Sequence, residues 1–167
     1  GRIEFFGLSF AVHEREIKER IGFVSGGAEF YPRSKLRAIT DVSRAFYRNW
    51  DEKSYRENLK RFSLDENKTP AQLSAGMKVK YALTLALSHH AELLLLDEPT
   101  SGLDPVSRDD LLDEFLHLSH DEEISILFST HITSDLDKCA DDISYLRAGR
   151  IAGSGMLEDF VKAYRTV

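Results

Sequence analysis

Apolar and polar positions change rhythm near residue 70, and the change divides the chain. Beyond it, short apolar runs alternate with longer stretches of helical period. The pattern predicts helices over Ala75–His89, Pro105–Leu118, Ser134–Cys139 and Leu157–Tyr164. Between them it predicts strands at Leu93–Leu96, Ser125–Ser129, Ile143–Arg147 and Ile151–Gly153, with a turn at Gly149. Apolar strands separated by helices predict an α/β fold, a mostly parallel sheet flanked by helices and covered on both faces.

Before residue 70 the alternation is lost. Arg2–Phe6, closed by Gly7, reads as a short strand, His13–Arg20 as helix-compatible, and Ile21–Val24 as a second strand. The loop S-G-G-A-E-F-Y-P follows. From Ser34 to about Phe62 the pattern is helical and amphipathic, with Leu36, Ile39, Val42, Phe46, Trp50, Tyr55 and Leu59 on recurring faces. Its aromatics read as local core rather than as a base-stacking surface. Asp65–Pro70 is a polar link with turn chemistry.

Composition narrows this picture only a little. The 167 residues suffice for one domain with a sizeable core. A net charge of −6 argues against a general nucleic-acid binder, because phosphate backbones attract basic surfaces. One cysteine, Cys139, excludes an internal disulfide and reads as a small half-buried helix residue. No apolar run reaches the ~18–20 residues that cross a bilayer. The opening G-R-I-E-F-F-G lacks a signal-peptide pattern, so a soluble chain that docks on another component is expected.

Candidate chemistry concentrates at Leu93–Pro105, L-L-L-L-D-E-P-T-S-G-L-D-P. Ligands of open α/β sheets bind outside the carboxyl ends of the strands. An aspartate there, Asp97, is placed to hold Mg²⁺. Glu98, one residue on, points elsewhere and is free to orient or deprotonate a water. The plain alternative is a solvated acid pair at a strand end.

The residues that follow decide between these, because here the chain resembles the nucleotide-binding domain of an ABC transporter, of the export and antibiotic-resistance type. In that resemblance Leu93–Asp97 corresponds to the Walker B strand and Glu98 to the catalytic base. Ser101-Gly102-Leu103-Asp104 corresponds to the D-loop, and S-T-H at Ser129–His131 supplies the switch histidine. L-S-A-G-M at Leu73–Met77 corresponds to the signature motif. The resemblance implies a P-loop NTPase-like fold with its N-terminal part missing. It implies three parts: residues 1–29 of the core, a helical subdomain over 30–90, and a C-terminal α/β core over 91–167.

The family further implies ATP and Mg²⁺ as cofactors, with Asp97 on the metal and Glu98 and His131 in catalysis. Ser74, Ala75, Gly76, Met77 and Asp104 would contact nucleotide. The first four open a helix, where a hydroxyl, free N–H groups and the positive helix end form an anion site. In the family that site grips the γ-phosphate held by the opposite subunit. The implied partners are therefore a second nucleotide-binding domain and a transmembrane permease subunit. The implied location is cytoplasmic, peripheral on the inner face of the membrane, with no nucleic-acid partner. A soluble relative acting in translation or DNA repair is the competing reading. Such proteins usually carry tandem cassettes or long coiled-coil insertions, and this chain shows neither.

The sequence departs from the family in several places. No G-x-x-x-x-G-K-[ST] phosphate loop occurs in it. The resemblance puts that loop upstream of Arg2–Phe6, so the chain reads as roughly the last three-quarters of such a domain, inactive by itself. Ala75 and Met77 replace the usual Gly and Gln of the signature. The usual glutamine after the second strand falls at Gly26, with Glu29 a nearby substitute. His89 and His90 read as charges suited to a helix C-terminus, and His117 and His120 as a solvated helix end rather than a metal cluster.

Overall fold

The computed structural model describes residues 1–25 and 30–164. Gly26 and Glu29 lie outside the described residues. The chain opens with a two-residue hairpin, β1 (Glu4–Phe5) and β2 (Leu8–Ser9), rather than one strand. Phe6 and Gly7 form its loop at φ 55° and 75°, the mirror-image turn that matches the twist of the flanking strands. Helix α1 (Phe10–Glu19) then leads into β3 (Ile21–Ser25).

The predicted helical stretch over 34–62 is two helices, α2 (Leu36–Arg44) and α3 (Glu52–Arg61). Asp51 starts the second, its carboxylate accepting the N–H groups of Lys53 and Ser54 at 2.8 and 3.2 Å. Those backbone donors, Ser54 foremost, hold the Asp51 carboxyl below the usual range. Tyr55 is buried here and Trp50 packs against the core, but Phe46 is 73% exposed, so the expected aromatic core is only partly formed. The buried Thr40 hydroxyl bonds those of Tyr55 and Tyr81 at 3.0 and 2.8 Å and ties α2 and α3 to the next long helix.

That helix, α4 (Ala75–Leu87), precedes β4 (Leu93–Asp97), α5 (Pro105–His120), β5 (Ser125–Ser129) and α6 (Thr133–Cys139). An antiparallel hairpin of β6 (Asp142–Arg147) and β7 (Arg150–Met156) and helix α7 (Leu157–Tyr164) complete the chain. Strands β3, β4 and β5 form a parallel sheet in that order. Val24, Leu94 and Leu96 point into the core with α4 and α5, and Phe128 meets Phe115 of α5.

The opposite face corrects the expectation of cover on both sides. Phe23 and Leu127 flank Leu95 in register and remain 68% and 65% exposed among the described residues. An uninterrupted apolar run marks a strand as apolar on both faces, but α4 and α5 share one of them. Gly22 of β3 lets α4 approach this sheet closely, its position for a Cβ lying 2.5 Å from Ala86 Cβ.

His89 overturns a second expectation. It is 2% exposed and stacks on Tyr47 with ring centroids 3.7 Å apart. Burial pulls its imidazole down to about 4, so it is neutral near pH 7 and adds no charge to the helix end. Its folded value lies below the ordinary 6.5, so the unfolded chain binds the extra proton and stability falls as pH drops from 6.5 through 4. The loss is on the order of 3 kcal/mol. Urea unfolding at pH 7 and pH 4.5 should show a smaller acid loss for His89→Phe, which keeps the stacking. An equal loss in that variant would place the acid sensitivity elsewhere.

Candidate active site

The site lies at the carboxyl ends of β4 and β5, where Asp97 and Ser129 are register partners. The Ser129 hydroxyl donates to Asp97 Oδ1 at 2.8 Å and accepts the Glu98 N–H at 3.1 Å. The same N–H reaches the Ser129 carbonyl at 3.2 Å. One serine thus fixes both acids. Sequence reasoning included Ser129 in the S-T-H run but gave it no role, although its place at the tip of the neighbouring strand was the available signal.

Glu98 leaves the strand at φ 48°, a left-handed conformation that costs a non-glycine residue about 1–2 kcal/mol. Glu98 Oε2 lies 2.7 Å from His131 Nδ1. The imidazole is otherwise open to solvent, and the Glu98 carboxylate is partly so. The structure therefore brings Asp97, Glu98 and His131 into one hydrogen-bonded group at an exposed edge.

Asp97 suits a hard cation. Its Oδ2 takes no hydrogen bond among the described residues, and the side chain is exposed. Among those residues no group of three or more His, Cys, Asp or Glu is placed to hold a metal. Mg²⁺ commonly takes one or two carboxylates and completes its shell with water and substrate phosphates, so a single aspartate fits it. His117 pairs with Asp121 and Glu122 instead of joining a metal cluster. Burial raises the Cys139 thiol to about 11, which leaves it unreactive near neutrality.

The other predicted residues gather at the start of α4 and α5. The Ser74 hydroxyl caps α4 by accepting the Met77 N–H at 3.2 Å. The N–H groups of Ala75 and Gly76 have no acceptor among the described residues, as the first turn of a helix requires. Gly76 is buried beside α5, its position for a Cβ 3.5 Å from Ser107 Cβ and 3.9 Å from Leu103. Asp104 caps α5, accepting from Val106 and Ser107 N–H at 3.1 and 3.0 Å. The Ser107 hydroxyl and these N–H groups hold its carboxyl below the usual range. No hydrogen bond joins Ser74–Met77 to Asp97, Glu98 or His131 among the described residues. The two groups are linked through the 98–107 segment.

Comparison with known proteins shows what the chain as a whole is similar to. The family model described as "AAA domain, putative AbiEii toxin, Type IV TA system" matches residues 51–134, a stretch that includes Asp97, Glu98 and His131. The ABC transporter ATP-binding protein YtrB of Bacillus subtilis is 27% identical over 164 residues, 98% of this chain and 56% of the relative. The ABC transporter ATP-binding protein NatA of Bacillus subtilis is 31% identical, with 99% of this chain and 70% of the relative covered. A solved structure of the ATP-binding subunit of an ABC transporter superposes with a TM-score of 0.80 at 25% identity, covering 99% of this chain and 70% of that one. The chain spans about half the length of several curated relatives that it matches.

Proposed function

The chain belongs to the ATP-binding proteins of ABC transporters, and on that premise we propose that it carries the hydrolytic edge of an ATP site that powers a transporter. The hydrogen-bonded group of Asp97, Ser129, Glu98 and His131 carries the proposal. Glu98 is the proton acceptor for the attacking water, and its contact with His131 aims the carboxylate. His131 contacts the transferred phosphoryl group through an exposed imidazole. Asp97 would hold Mg²⁺, which would supply positive charge to offset that of the phosphates.

Ser74, Ala75, Gly76 and Met77 present a helix N-terminus to the γ-phosphate bound by a second nucleotide-binding domain, with Asp104 at the same interface. ATP would thus close two subunits, and hydrolysis would release them. Residues 30–90, the helical part, would pass that motion to a transmembrane subunit. No helix among the described residues is long and apolar enough to cross a membrane.

Mg²⁺-dependent ATP hydrolysis by the whole protein tests the reading. The 167 residues lack a phosphate loop and are expected to show no turnover alone and at most weak nucleotide binding. Calorimetric titration checks that second outcome. Tight, Mg²⁺-dependent ATP binding by these residues alone would mean that phosphate is held in some other way.

A further inference from the structure

Asp135 belongs to none of the motifs above, yet among the described residues it is the one fully buried carboxylate, at 0% exposure. Removing a carboxylate from water is costly unless partners satisfy it, and an apolar residue would often serve stability as well. Here the partners are specific. Thr100 Oγ1 donates to Asp135 Oδ2 at 2.6 Å, and Arg108 Nε donates to Oδ1 at 2.7 Å. The same guanidinium donates to Ser134 Oγ at 2.8 Å.

These partners lie on the two segments that meet at the active site. Thr100 is buried two residues after Glu98, within a turn closed by Ser101 N–H to Glu98 O and Leu103 N–H to Thr100 O. Arg108 sits one helical turn beyond Asp104, its N–H bonded to the Asp104 carbonyl at 3.0 Å. Asp135 itself lies four residues after His131, and its N–H bonds the Ile132 carbonyl at 3.1 Å. Glu98 occupies a strained left-handed conformation, and His131 lies in an exposed bend. Each needs an anchor nearby, and one carboxylate provides both.

We propose that Asp135 is a positioning residue for hydrolysis, setting the Glu98–His131 contact by clamping the segment after Glu98 to the helix after His131. The proposal rests on the ATPase reading above. It differs from a purely stabilising role because it requires the reacting geometry, rather than nucleotide affinity, to depend on the clamp.

Thr100→Val in the whole protein is the cleanest test, since it removes one hydroxyl and leaves the Asp135–Arg108 pair to hold the fold. Misplacement of a catalytic group costs rate steeply, so kcat should fall about tenfold or more while KM for ATP changes less than about threefold. Thr100→Ser, which restores the donor, should recover kcat to within about twofold of wild type. Asp135→Asn should lose at least as much rate as Thr100→Val. NMR of labelled histidine should show the Nδ1 hydrogen bond of His131 in wild type and Thr100→Ser but not in Thr100→Val. Unchanged kcat with that hydrogen bond intact in Thr100→Val would overturn the proposal, as would a loss that Thr100→Ser fails to recover. A wild type without turnover would defeat the ATPase reading instead, and the His131 resonances would then decide the positioning claim by themselves.

Discussion

Glu98→Gln in the whole protein is expected to lower kcat for ATP hydrolysis by about 10²–10⁴-fold, the range over which a positioned base contributes. Glutamine matches glutamate in length and shape. Its amide oxygen can still accept a hydrogen bond from His131, so the contact that aims the side chain survives. Only the ability to take a proton is lost. Ser129 continues to hold Asp97 through its hydroxyl, so metal binding and nucleotide affinity should change little. A subunit that binds ATP without completing the reaction should accumulate in the closed, paired state. Steady-state turnover measures the first effect, and size-exclusion chromatography with and without ATP measures the second. Wild-type turnover in Glu98→Gln would remove the role assigned to that residue.

The parts of this site that were legible in the sequence share one property: they are local. An apolar strand ending in Asp97-Glu98 and a serine opening a helix at Ser74 each declare themselves within a few residues, while Asp104 entered only through the likeness of S-G-L-D to the D-loop. The clamp was not legible, because Thr100, Arg108 and Asp135 are separated by up to 35 residues and look like ordinary polar positions. Only the packing of α5 against α6 brings them together. His89 was misread for a related reason. Its place at the end of α4 invites a charge, but Tyr47 from the α2–α3 connection covers it and makes the charge unaffordable. The faces of the sheet posed the same problem. Phe23, Leu95 and Leu127 look like their buried neighbours in the one-dimensional pattern, and only the side chosen by α4 and α5 distinguishes them.

Gly22→Val should destabilise the chain by more than any surface change, at or above the upper end of the about 1–3 kcal/mol typical of overpacking. Gly22 is not in a left-handed conformation, so the cause is space rather than backbone strain. A Cβ there would lie 2.5 Å from Ala86 Cβ, 2.7 Å from Leu94 Cδ2 and 3.4 Å from Ala91 Cβ. The leucine can turn its terminal methyl away. Ala86 Cβ cannot, because it is fixed to the backbone of α4, so the helix itself must move. Gly22→Ala isolates that first carbon and should itself lower stability in urea unfolding. Ala86→Gly removes the opposing methyl at about 1 kcal/mol of helix propensity. If the contact sets the cost, the Gly22→Ala, Ala86→Gly double variant should be more stable than the sum of the two single losses predicts. Strict additivity would show that the sheet and helix already part without penalty. The consequence reaches the active site, because the helix that must shift is the one that begins at Ser74 and lays Gly76 against Ser107. In the whole protein, variants at Gly22 that still fold should therefore weaken nucleotide-driven pairing of subunits before they alter the Glu98–His131 contact, which is carried by β4, β5 and the segments that follow them.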